Sequence, residues 1–302
     1  MLSEQFAGID NLELIAKQVV EGFIIGLHKS PFHGFSVEFA EHRLYNQGDA
    51  LRHVDWKVYG RTDRLFVKKY EEETNLRSCL VIDTSASMYF PEGKDKVNKL
   101  RFSAIATASL IELFKRQLDA ASLAFFDSDL YYLSQCRSAH SHYRLLMHEL
   151  ERLLKRESRP GKQTDAAKAL HEVAEQIHKR SLVIVFSDMM DGGEDTEELF
   201  SALQHLKYNK HEVILFHVMD GQQEIAFEFD NRPYEFWDME TKERIKLQPG
   251  QIKEEYLRNI SSYMKEIENR CHQYGIEWVP VDLKSPVEQV LYSFLLKRNK
   301  LL

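Results

Sequence analysis

The segment Leu80-Val81-Ile82-Asp83-Thr84-Ser85-Ala86-Ser87-Met88 constrains the fold more than any other part of the chain. An unbroken apolar run ends abruptly in an acid, and two hydroxyl side chains follow at alternate positions. A strand that is apolar along its whole length is covered on both faces, as in the middle of a parallel sheet. A second such run, residues 181–187, is followed at once by Asp188. In open α/β sheets, ligands bind at the carboxyl ends of the strands, where these acids fall. One carboxylate and two hydroxyls offer only oxygen, a donor set that suits a hard cation such as Mg²⁺.

The flanking sequence alternates between strand and helix patterns. Candidate strands cover 78–83, 121–127, 130–134, 181–187, 211–218 and 276–281. Candidate helices cover 95–118, 140–156, 164–179, 194–208, 251–274 and 285–298. This alternation predicts an α/β protein with a doubly wound, mostly parallel sheet. The runs 121–127 and 130–134, joined by Asp127-Ser128-Asp129, predict a hairpin and hence one antiparallel edge. Upstream, Leu12, Ile15, Val19 and Phe23 follow helical spacing, with Asp10 or Asn11 as the cap. Residues 35–70 read as a small β-rich annex with a turn at Asn46-Gln47-Gly48-Asp49. The expected division is therefore 1–76, the N-terminal helix and annex, and 77–302, the α/β domain, with an insertion at about 221–250.

Composition narrows the function. The chain has 302 residues, 43% of them hydrophobic, enough for a substantial core. A net charge of −7 argues against binding nucleic acid, which needs a basic surface. The stretch 43–69 is locally basic, but Asp49, Asp55 and Asp63 lie within it and suit internal ion pairs. Three widely spaced cysteines (Cys79, Cys136, Cys271) form no zinc or redox pattern and suit reduced thiols. No apolar run approaches the ~20 residues that span a bilayer, and the N-terminus lacks a signal-peptide pattern. The expectation is a cytoplasmic protein with no direct membrane insertion. The phosphate-loop, dinucleotide and nucleophile-elbow patterns are missing, so no enzyme class is indicated.

Three segments can converge at one crevice: Asp83-x-Ser85-x-Ser87, Thr164 before a helix, and Asp188 after the second apolar strand. Thr164 also suits an N-cap for a helix beginning at Asp165, and Ser85 and Ser87 suit a turn. Asp191, Glu194, Asp195, Glu197 and Glu198 suit a solvated helix start better than a second metal site.

Asp83, Ser85, Ser87, Thr164 and Asp188 together resemble the metal-ion-dependent adhesion site of von Willebrand factor A domains. The resemblance implies a Rossmann-like sheet, with Ser85, Ser87 and Thr164 as hydroxyl ligands. Asp83 and Asp188 would act close in or through water, and one position would stay open for a partner carboxylate. It implies Mg²⁺ as the cation, with Mn²⁺ and Ca²⁺ as alternatives. Upstream, Gly34-Phe35, Arg43-Leu44-Tyr45-Asn46-Gln47-Gly48-Asp49, Arg52-His53-Val54-Asp55-Trp56, Arg61 and Leu65-Phe66-Val67-Lys68 narrow the match. They are similar to the signature of a bacterial family of unknown function that carries a von Willebrand A-like domain. That family is commonly encoded beside MoxR-type AAA+ ATPases. Two departures stand out. Many von Willebrand A domains have Gly-Gly-Thr where this chain has Lys162-Gln163-Thr164, and Asp-Gly where it has Asp188-Met189. The resemblance implies a non-enzymatic module that binds a partner's Asp or Glu and works with a MoxR-type ATPase in assembly or maturation of other proteins. The alternative is a metal-dependent phosphoester hydrolase, with Asp188 or Asp191 as base.

Overall fold

The computed structural model of the chain describes residues 11–28, 42–44, 59–61, 64, 66–68, 76–93, 96–156, 165–190, 196–239 and 243–292. It divides into two compact units, Ile25–Asn75 and the remainder, Met1–Ile24 with Leu76–Leu302. In the smaller unit, β1 (His42–Leu44) pairs antiparallel with β2 (Phe66–Lys68), Arg43 lying opposite Val67. The expected turn at residues 46–49 lies outside the described residues.

The larger unit is built on six strands: β3 (Arg77–Asp83), β4 (Ala120–Phe126), β5 (Leu130–Leu133), β6 (Leu182–Ser187), β7 (Glu212–Met219) and β10 (Glu277–Asp282). They lie in the order β10-β7-β6-β3-β4-β5. All neighbours are parallel except β4 and β5, which form the expected hairpin and antiparallel edge. In chain order the first strand of the sheet, β3, is flanked by the second and the fourth. The chain therefore reverses direction across the sheet between β3 and β6, and that is the topological switch point of a doubly wound fold.

Continuous apolar strands divide their side chains between two cores by simple alternation. Leu80, Ile82, Ile184, Phe186, Ile214 and Phe216 face one core. Cys79, Val81, Val183, Val185, Val213 and Leu215 face the other. The first core is covered by α1 (Leu12–His28), α2 (Lys99–Gln117), α3 (His140–Leu154) and the turn of helix from Val287. The second is covered by α4 (Ala166–Gln176), α5 (Thr196–Tyr208) and α6 (Pro249–Gln273). Phe186 and Phe216 stack at 4.8 Å on neighbouring strands.

Local chemistry sets the ends of these elements. Asn11 caps α1, its Oδ1 accepting from the Leu14 amide at 2.9 Å. Leu12, Ile15, Ala16 and Val19 of α1 are buried in the first core, and the boundary between the two units falls within this helix, at Ile24–Ile25. Asn98 caps α2 by accepting from Arg101 N at 2.8 Å, and Leu118 ends it in the left-handed conformation, φ 59°. Pro249 opens α6, because its missing N–H would be unpaired in a first turn anyway. The insertion expected before that helix contains a single π turn (Gly221–Ile225) and the hairpin β8 (Tyr234–Trp237) with β9 (Arg244–Leu247). Phe227, Phe229, Phe236 and Tyr256 pack together at its base.

Candidate functional site

Asp83 is the last residue of β3 and Ser187 the last of β6, so the switch point places them side by side. Ser187 Oγ donates to Asp83 Oδ2 at 2.7 Å, and Ser85 N donates to Asp83 Oδ1 at 2.9 Å. The chain then turns through a short 3₁₀ segment, Ala86–Tyr89, closed by a bond from Met88 N to Ser85 O. That turn sets Ser85 Oγ 3.0 Å from Ser87 Oγ. Asp188 Oδ1 accepts from Met190 N at 3.2 Å, and the Ser87 hydroxyl helps to hold the Asp188 carboxyl low. Four of the residues singled out in the sequence, Asp83, Ser85, Ser87 and Asp188, thus meet in one polar cluster at the sheet edge. Asp83, Ser85 and Asp188 are buried.

The fifth, Thr164, lies outside the described residues. The capping role also open to it is filled one residue later. Asp165 is the N-cap of α4, its Oδ1 accepting from Lys168 N at 2.8 Å. Of the acids after Asp188, Glu197 is committed to Arg270 of α6 through two contacts, one of 2.9 Å.

Charges in the cluster are unevenly compensated. Burial, reinforced by the nearby charge of Asp188, pushes the Asp83 carboxyl up to about 7 against the hydrogen bonds from Ser187 and Ser85. Burial acts the same way on Asp188, but the Lys99 ammonium overcomes it and holds that carboxyl below its ordinary value. Lys99 Nζ lies 2.6 Å from Asp188 Oδ2 and 2.7 Å from Glu224 Oε1. Burial would depress the lysine, yet the two acids raise it above its usual range, and it stays charged.

His217 completes the shell. Trp278 Nε1–H donates to its Nδ1 at 3.4 Å, which leaves Nε2–H to donate to Asp188 O at 2.9 Å. Burial lowers this imidazole to about 4, so it is neutral at physiological pH. Met189 follows in the left-handed region, φ 52°, with its carbonyl accepting from Tyr263 OH.

None of Lys99, Ser187, His217 and Glu224 was expected at the site from the sequence. One signal was available for Lys99. It is the first residue of α2, and a cation at a helix N-terminus opposes the helix dipole. Its position calls for local acids.

Among the described residues, no group of three or more His, Cys, Asp or Glu gathers that could hold a metal ion. Any cation at this edge would rest on two carboxylates and two hydroxyls.

Fold and cluster together define a doubly wound α/β protein with an oxygen-rich polar site at its topological switch point. The chain belongs to the family described as protein of unknown function DUF58, whose model matches residues 41–266. It is 33% identical over 105 residues to an uncharacterized protein of Mycobacterium bovis. That match covers 35% of this chain and 33% of the relative, so the chain spans about a third of the length of the curated relatives it matches. Among solved structures it is similar to an aerotolerance-related membrane protein from Bacteroides fragilis, at 12% identity and TM-score 0.47, over 74% of this chain and 99% of that one. It is also similar to the conserved hypothetical protein BatB from Bacteroides thetaiotaomicron, at 12% identity and TM-score 0.45, with the same coverage. One of these neighbours is named as a membrane protein, which is a description of that protein, and the cytoplasmic expectation is not retained. Among the described residues no helix is long and apolar enough to cross a membrane, and that fact does not assign a compartment.

Proposed function

We propose that this protein is a non-enzymatic, metal-dependent interaction module of the von Willebrand A type, in which Asp83, Ser85, Ser87 and Asp188 hold a divalent cation. The observation that carries the reading is the 3.0 Å separation of the Ser85 and Ser87 hydroxyls beside two buried carboxylates. The all-oxygen donor set suits a hard cation, Mg²⁺ first, with Mn²⁺ and Ca²⁺ as alternatives. The mutual repulsion of Asp83 and Asp188 supports the same reading, because a dication between them relieves it. Thr164 is the further ligand implied by the family pattern.

When bound, the cation would offer an incoming carboxylate a Lewis-acidic position. The chain's own residues orient that position. Ser187 and the Ser85 amide fix the Asp83 carboxylate, Ser85 and Ser87 hold each other's hydroxyls, and His217 holds the Asp188 backbone. The partner is a protein presenting Asp or Glu. The resemblance of residues 43–68 to the family signature supports a MoxR-type AAA+ ATPase system as the setting, in assembly or maturation of other proteins.

Calorimetric titration of the full chain with Mg²⁺ tests this. Asp83→Ala removes the acceptor of two buried donors at a cost of about 1–3 kcal/mol. Asp83→Asn, which keeps the side-chain shape, is therefore the better variant. The expected outcome is loss of Mg²⁺ binding with an unchanged circular dichroism spectrum. Equal Mg²⁺ affinity in wild type and variant would sink the proposal.

A further inference from the structure

Lys99 is fully buried and shared between two acids that belong to different parts of the fold. Asp188 belongs to the candidate cation site. Glu224 belongs to the π turn Gly221–Ile225, a rare geometry that is frequent at functional positions. The turn is held on several sides. Glu224 Oε2 accepts from Asp220 N at 2.7 Å, and Glu224 O accepts from Tyr256 OH of α6 at 2.7 Å. Gly221 N donates to Asp282 Oδ1 of β10 at 3.1 Å, and a Cβ at Gly221 would meet Asp282 Oδ2 at 2.4 Å. The hairpin β8–β9 follows directly in the chain.

We propose that Lys99 is a positioning residue that links the cation site to the Gly221–Ile225 turn, with Glu224 as the second seat of its ammonium. The proposal rests on the cation-site reading above. Asp188 Oδ2 is already engaged by Lys99, so a cation that draws on this carboxylate competes with the ammonium. Two positive charges on one carboxylate repel, and the ammonium then leans on Glu224. The turn and the hairpin behind it thereby report whether the cation is present. Such a link is reciprocal, so altering Glu224 must alter cation affinity by the same coupling.

The test is Mg²⁺ titration calorimetry on the full chain, paired with hydrogen exchange at the backbone amides of residues 222–226. Glu224→Gln leaves Lys99 with Asp188 alone, and Mg²⁺ affinity is expected to fall about tenfold, within the usual range of coupling between sites. In wild type Mg²⁺ changes exchange at 222–226; in the variant it does not. The double variant K99M/E224Q removes both charges and frees Asp188, so it is expected to bind Mg²⁺ more tightly than wild type. Thermal unfolding of each variant serves as the fold control. If wild type binds Mg²⁺ but Glu224→Gln matches it within about twofold, with 222–226 unresponsive, the link is overturned and the cation site stands. If wild type binds no Mg²⁺, the cation site itself is overturned and the link with it.

Discussion

At the residue scale, the acids and hydroxyls of the site were legible because they sit at strand ends, where an apolar run stops. Their partners were not. Lys99 meets Asp188 across 89 residues and Glu224 across 125, and no local pattern marks such pairs. Met189 carries a related lesson. The position after Asp188 takes φ 52°, a left-handed conformation that favours glycine. This chain places a methionine there and buries it in the second core. The cysteines give a direct test of burial. Burial pushes the thiols of Cys79 and Cys271 up to about 12, while Cys136 is half-exposed and raised less sharply. Thiolate, not thiol, is the reactive form. A colorimetric thiol reagent at about pH 8 should therefore label no more than one of the three cysteines in the native protein, and all three in denaturant. Rapid native labelling of two or more would contradict the burial described here.

At the element scale, hydrophobic periodicity located the strands of the main sheet and the helices that cover it. Boundaries moved where capping chemistry intervened. The helix expected from residue 95 begins at Lys99, because Asn98 supplies the cap, and α4 begins after Asp165. The π turn had no signature in the sequence, since it depends on its own cap Asp220 and on Asp282 and Tyr256 from two other elements. The end of α2 offers a clean experiment. Leu118 is 68% exposed and adopts φ 59°, ψ 22°, a conformation that costs an L-residue about 1–2 kcal/mol and glycine almost nothing. After the extra unfolded-state entropy of glycine, Leu118→Gly should stabilise the protein by about 0.5–1 kcal/mol. Urea denaturation reads this directly, and a lower midpoint in the variant would count against the cap geometry.

At the scale of the whole molecule, stability depends on keeping polar groups paired between the two cores. His217 is fully buried between strands and tied to both Asp188 and Trp278. Its pKa is about 4 in the folded protein, below the ordinary 6.5, so between those values the unfolded chain binds a proton that the folded chain does not. Stability therefore rises with pH across this window and is lost as pH falls from about 6.5 to 4, by on the order of 3 kcal/mol from this residue. Comparing His217→Gln with wild type isolates that share, because other titrating groups contribute to both. The variant should lose less stability than wild type between about pH 7 and pH 4.5 in chemical denaturation; parallel curves would remove His217 as the cause. The sequence by itself determined the layered α/β architecture, the antiparallel edge and the strand ends that carry Asp83, Ser85, Ser87 and Asp188. These follow from periodicity and from where apolar runs stop, both local properties of the chain. Only the tertiary structure decided that Lys99 and Glu224 join the site and that Ser187 and His217 brace it. Only the fold also assigned α1 to the main core. Buried charges and amphipathic faces find their partners through the crossing of the sheet, and that crossing brings together residues the chain holds far apart.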